Sequence, residues 1–183
     1  MMGAGSQNRK MVVALEDCPA RLVPAGTKIV IPKDTFVTIT QDLGGNYTVA
    51  VNGNMARVDG TDADALGLKA EALIFEEPND DKISEDQVWR ALKSIYDPEI
   101  PVNLVDLGLI YQVNIDQNNK AITINMTLTA PGCGMGPVMV SDIKYRVGKV
   151  PNVNSVEVEL VFDPPWNRDM MSDEAKLETG LFF

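Results

Sequence analysis

Cys133 stands between two glycines in the run Thr129-Ala130-Pro131-Gly132-Cys133-Gly134-Met135-Gly136-Pro137. Glycine frees the backbone on both sides of the sulfur, and Pro137 then commits it to a helix, standing where a first helical residue would. Helix-start N–H groups favour an anion, so this placement raises the thiolate population near neutral pH. Thiolate is the form that binds metal or attacks carbon. The plain alternative is a small buried hydrophobe. Thr129, four residues earlier, could offer its hydroxyl to the sulfur or to a ligand, or be an ordinary strand threonine.

The rest of the composition limits what that thiol can do. There is no histidine, and Cys18 and Cys133 are the two cysteines. Cys-His nucleophilic pairs, Ser-His-Asp triads and histidine-containing zinc sites are therefore excluded. One chain cannot complete a four-thiolate site, so a metal or cluster held here needs a second subunit, a small thiol or a partner protein. The two cysteines read as reduced thiols rather than a structural bridge. Cys18, in Glu16-Asp17-Cys18-Pro19, lies among acids that disfavour its thiolate and reads as structural. Asp97, Glu99 and Asp106 form an acidic group that could do acid-base work. Asp97 before Pro98 and Asp106 before Leu107-Gly108 also fit ordinary turn and cap roles.

The 183 residues carry 16 basic and 26 acidic side chains, a formal charge of -10. That balance opposes binding to nucleic acid or an anionic membrane surface. The longest apolar runs fall short of a membrane span, and the first ten residues lack the apolar stretch of a secretory signal. The expected location is the cytoplasm.

Two halves must position the thiol. From Met11 to Val58 short runs rich in Val, Ile and Thr are broken by Pro, Gly, Asp and Asn, clearest at 28–31, 36–40 and 47–51. Leu43-Gly44-Gly45-Asn46 reads as a hairpin loop and Asn52-Gly53 as a type I′ turn. Thr61 or Asp62 could cap a short helix that Gly67 ends. The acidic stretch Glu76-Glu77-Pro78-Asn79-Asp80-Asp81 marks a boundary, giving a β-rich domain over 11–76 and a second domain over 82–183. There Ser84-Glu85-Asp86-Gln87 fits a capping box. Strands are expected at 109–115, 121–129 and 156–162, and helices from Pro137 to about Val147 and from Ser172 to Glu178. Asp163-Pro164-Pro165-Trp166 must be a rigid loop. Helix, strand, strand, helix, strand predicts a two-layer α/β sandwich, and the chain as a whole is of the α+β class.

Four ordered motifs carry a resemblance. Asp97-Pro98-Glu99-Ile100-Pro101, Leu104-Val105-Asp106-Leu107-Gly108-Leu109-Ile110, Leu128-Thr129-Ala130-Pro131-Gly132-Cys133-Gly134-Met135-Gly136 and Asp163-Pro164-Pro165-Trp166 succeed one another. They do so as in the iron-sulfur cluster assembly domain family, which includes the PaaD-like proteins and the eukaryotic cytosolic iron-sulfur targeting factors. The first half, with Leu43-Gly44-Gly45, Val51-Asn52-Gly53-Asn54 and Asp59-Gly60-Thr61-Asp62-Ala63-Asp64-Ala65-Leu66-Gly67, resembles the N-terminal extension of the SufT branch. The resemblance implies a non-enzymatic auxiliary factor in the maturation of iron-sulfur proteins, with Cys133 as its functional thiol and metal ligand. It places Thr129, Asp97 and Glu99 around that thiol. Gly134 stands where many relatives have proline, adding backbone freedom. The expected cargo is an iron-sulfur cluster or iron, held transiently and shared between subunits or partners. The expected partners are the assembly machinery, client apoproteins and a second copy of the chain. Alternatives are a metal-free adaptor and, behind it, a cysteine-nucleophile hydrolase that would lack a histidine base.

Overall fold

The computed structural model describes residues 9–43, 45–97, 100, 102–130 and 134–180. It divides into two compact units, Met1–Leu73 and Ile74–Phe183. The class is α+β, as the alternation of strand and helix signals predicts.

The first unit is a six-stranded antiparallel sheet. Its strands are β1 (Lys10–Val13), β2 (Cys18–Leu22), β3 (Lys28–Ile31), β4 (Phe36–Leu43), β5 (Asn46–Val51) and β6 (Asn54–Asp59), in the order β1-β4-β5-β6-β2-β3. Period-two patterning explains the layer: in β4, Val37 and Ile39 are buried while Phe36 points out at 68% exposure. Asn52 and Gly53 take φ of 50° and 82°, the paired left-handed geometry of a type I′ turn. The short helix is a 3₁₀ turn over Gly60–Leu66. Asp59, rather than Thr61 or Asp62, caps it, because its carboxylate reaches the Thr61 N–H at 2.9 Å. Gly67 ends it at φ 76°.

Two arginines directly opposite each other, Arg21 and Arg57, are buried in this unit, and the Arg21 guanidinium donates to Asn46 Oδ1 at 3.2 Å. Cys18 lies in the same core, fully buried. Desolvation first, then Asp62, Asp64 and Glu16, pushes its thiol up to about 12 from an ordinary value of 9.0. The native state thus keeps a proton that the unfolded chain releases above about pH 9. This unit's stability is expected to hold below that pH and to fall as the pH rises toward 12. Circular dichroism melts from pH 8 to 11 should show a steeper alkaline decline for the parent than for Cys18→Ala; parallel declines would contradict the assignment.

The second unit packs helices on one face of a three-stranded sheet. Helix α1 (Glu85–Lys93) begins at Ser84, whose hydroxyl accepts from the Gln87 N–H at 3.4 Å. Strands β7 (Ile110–Asp116) and β8 (Ala121–Met126) form an antiparallel hairpin. The Asp116 carboxylate accepts from the Asn119 side-chain amide first, then from the Asn119 and Asn118 N–H groups, which together hold its pKa below the usual range. Helix α2 (Gly136–Val147) leads to β9 (Ser155–Leu160), which lies parallel to β8 at the edge, giving the order β7-β8-β9. Helix α3 (Asp173–Thr179) runs from the Ser172 cap to Gly180 at φ 70°. None of the described helices is long and apolar enough to cross a membrane.

Val88, Ala91 and Leu92 of α1, Ile122, Ile124 and Met126 of β8, and Met139, Ile143 and Val147 of α2 form one core. Each large aliphatic side chain buried there contributes roughly 1.5–3 kcal/mol. The opposite face of the sheet is polar, carrying Gln112, Asn114, Thr123 and Asn125. Arg146, in the last turn of α2, is fully buried and donates to Ser94 O at 3.0 Å beyond the end of α1. It bridges the two helices through a backbone carbonyl.

Candidate functional site

The motifs singled out in the sequence converge at one end of the three-stranded sheet, where β8 and β9 finish and β7 starts. Strand β8 stops at Met126 instead of continuing to Thr129. The Thr127 N–H still reaches Leu109 O at 2.8 Å, but Thr127 and Leu128 are both buried, so the alternation of faces has ended. Leu128 turns toward the start of α2: a Cβ on Gly136 would lie 3.2 Å from Leu128 Cδ1 and 3.5 Å from Leu160 Cδ1. Thr129 is therefore in a bend, half-buried, and not on the polar face of a strand. Across the sheet, the Val161 N–H donates to Met126 O at 2.8 Å, and β9 ends at Leu160 rather than Phe162.

The chain leaving β9 crosses this end. Trp166 donates its indole N–H to Leu107 O at 2.7 Å, the Tyr111 hydroxyl donates to Pro164 O at 2.7 Å, and the Ser172 N–H reaches Asp106 O at 2.7 Å. Residues 163–172 thus strap the Leu104–Ile110 motif. Gly108 makes the strap possible, with φ 79° and no side chain where the Met170 backbone passes. The loop after α1 joins the same scaffold: the Asp97 N–H bonds Val102 O at 3.1 Å, Leu104 N–H bonds Ile95 O at 2.9 Å, and Leu109 N–H bonds Leu104 O at 3.1 Å.

Of the residues expected around the thiol, Cys133 and Glu99 lie outside the described residues, as do Pro131 and Gly132. Thr129 and Gly134 flank the cysteine on the two sides. Gly134 is exposed in a turn, and a Cβ there would meet nothing within 4 Å, so space does not demand glycine. Asp97 is buried, and its carboxylate accepts from the Ile100 N–H at 2.9 Å, the turn role its place before proline suggests. Asp106 behaves similarly, exchanging hydrogen bonds with Asn103 at 2.6 and 2.9 Å. Helix α2 starts at Gly136 with Pro137 in its first turn, and Met135 at the cap makes no side-chain hydrogen bond. The cap residue thus supplies no side-chain acceptor to the first N–H groups, and a helix start of this kind favours an anion just before it. One feature lies beyond the motif residues. Thr127 is fully buried, and its hydroxyl has no hydrogen-bond partner among the described residues. Nothing in the sequence separates it from Thr123 on β8.

With this geometry in place, comparison with known proteins is informative. A family model described as iron-sulfur cluster assembly protein matches residues 85–160, which fall within the second unit. A Porphyromonas gingivalis protein named Fe-S protein maturation auxiliary factor is 46% identical over 97 residues, 53% of this chain and 91% of that protein. The chain belongs to the iron-sulfur cluster assembly protein family. Another relative, the Staphylococcus aureus Fe-S protein maturation auxiliary factor SufT, is 41% identical over 87 residues, 48% of this chain and 98% of its own length. A solved Bacillus anthracis structure, titled as a domain of unknown function, is 41% identical and covers 54% of this chain and 92% of its own, with a TM-score of 0.49. Each of these family relationships accounts for about half of the chain.

Proposed function

We propose that the protein is an auxiliary factor in iron-sulfur protein maturation, in which Cys133 is a transient, shared thiolate ligand for a cluster or iron in transit to client apoproteins. Family membership supports the role, and the start of α2 three residues after the cysteine, where Met135 offers no side-chain cap, supports the assignment of the thiolate. Thr129 and Gly134 would bracket the sulfur, with Asp97 and Glu99 on the neighbouring loop. The metal is cargo rather than a resident cofactor. Iron bound by thiolates needs several of them, so a second copy or a partner protein must supply the rest. Among the described residues no group of three or more His, Cys, Asp and Glu side chains is placed to hold a metal ion. Two cysteines used as thiols suit a reducing compartment such as the cytoplasm.

Anaerobic reconstitution with iron and sulfide, followed by visible absorption and mass in solution, tests this reading. The expected result is a charge-transfer band that accompanies a dimer or a complex with a partner, and that Cys133→Ala lacks. A band of equal strength in Cys133→Ala, or none in either protein, would rule out cargo binding through this thiol and favour a metal-free adaptor.

A further inference from the structure

Among the described residues, strand β9 is an outer strand of its sheet, with β8 as its one neighbour. The parallel ladder turns alternate residues toward β8: the Ser155 N–H bonds Lys120 O and the Val161 N–H bonds Met126 O. Residues 155, 157, 159 and 161 therefore spend their backbone groups inside the sheet. The N–H and C=O groups of Val156, Val158 and Leu160 point away from it, a row of donors and acceptors that a further strand can pair.

The side chains along this edge specify what could sit there. On the polar face, Glu157 and Glu159 are exposed and stand opposite Thr123 and Asn125, whose own partners across β7 are Asn114 and Gln112. That row of the sheet contains two carboxylates and no cation. On the other face, Val156 and Val158 pack into the core, and Leu160 approaches the first turn of α2. Leu160 is 37% exposed and Phe162 is 44% exposed, leaving apolar surface at the end of the edge beside the site. A second copy of β9 is a poor occupant, because antiparallel self-pairing brings the carboxylates of the two strands together, and like charges directly opposite are destabilising.

We propose that the β9 edge accepts an extended segment of a partner protein in which basic residues alternate with apolar ones. The basic residues would lie across from Glu157 and Glu159, the apolar ones against Leu160 and Phe162, and the backbone would pair with Val156, Val158 and Leu160. Main-chain bonds then give affinity and the alternate side chains give specificity. The inference uses no property of Cys133 and holds whether or not the chain carries metal.

The probe is a blocked peptide of about eight residues alternating lysine with valine or leucine, enough for one added strand. It is added to the full-length, isotope-labelled chain while amide exchange is followed by NMR. The outward amides of Val156, Val158 and Leu160 should slow by about tenfold or more, as newly made hydrogen bonds require. Binding should vanish in Glu157→Lys/Glu159→Lys, whose surface substitutions leave the core intact, and persist in Cys133→Ala. The same peptide N-methylated at alternate residues keeps charge and apolar area but loses half its donors, and should not bind. Equal binding of the methylated peptide, protection unchanged in the lysine variant, or shifts spread over the acidic surface without slowed β9 amides would each overturn the proposal.

Discussion

Gly108→Ala is expected to destabilise the second unit by about 2–5 kcal/mol. Two costs add. The residue sits at φ 79°, where an L side chain costs roughly 1–2 kcal/mol. The new methyl would lie 2.4 Å from Met170 O, 2.8 Å from its carbonyl carbon and 2.9 Å from its Cβ. Backbone in a strap held by the Trp166 and Ser172 bonds cannot swing aside as a flexible side chain can, and overpacking of this kind costs roughly 1–3 kcal/mol. The two tryptophans, Trp89 and Trp166, both lie in the second unit, so their emission during urea unfolding reports on it without interference from the first. Gly134→Ala is the matched control, since its methyl enters open space. A Gly108→Ala midpoint as close to the parent's as that of Gly134→Ala would contradict the strap geometry.

The second large effect is chemical. At pH 7.5 in the folded protein, iodoacetamide is expected to modify Cys133 and leave Cys18 untouched. Raising the Cys18 thiol from 9.0 to about 12 lowers its thiolate fraction. At tenfold for each unit of pKa, that is about a thousandfold loss. Full burial then removes access as well. The role proposed for Cys133 requires the opposite, an accessible thiolate. Peptide mass spectrometry of the alkylated protein resolves the two sites. Denaturation before alkylation should equalise them, which confirms that the fold sets the difference. Labelling of Cys18 at a rate comparable to Cys133 in the native protein would contradict the description of the first unit's core; an unreactive Cys133 would remove the basis for the proposed thiolate ligand.

Local chemistry was the most legible part of this chain. Asn52-Gly53 announces its turn because left-handed φ at both positions suits those residue types, and Ser84 announces α1 because its hydroxyl fits a particular unpaired N–H. The alternation of Ile122, Ile124 and Met126 with polar neighbours reveals which face of β8 is covered. Where tertiary contacts decide, the pattern misleads. Thr129 continues the alternation in type, but Leu128 packs by Gly136 and the strand ends sooner. The burial of Arg146 follows from α1 packing beside α2, where its guanidinium donates to Ser94 O. Arg21 and Arg57 give no sign of burial, because the register that sets them opposite each other joins segments 36 residues apart. For the site, residue types pointed to the segment before α2, whereas the strap from Trp166 to Leu107, and a buried Thr127 hydroxyl with no partner among the described residues, emerge only once distant segments meet.

The parallel pairing of β8 with β9 also sets an order in time. Two parallel strands cannot be joined by a tight turn, and here the connection between them is the cysteine turn followed by α2. Thr129 and Gly134 both lie within that connection, so β9 can pair with β8 only after both have been synthesised. A ribosome-bound chain lacking β9 would hold β7 and β8 as a two-stranded hairpin, marginal by itself, so the sheet beside this connection is completed late.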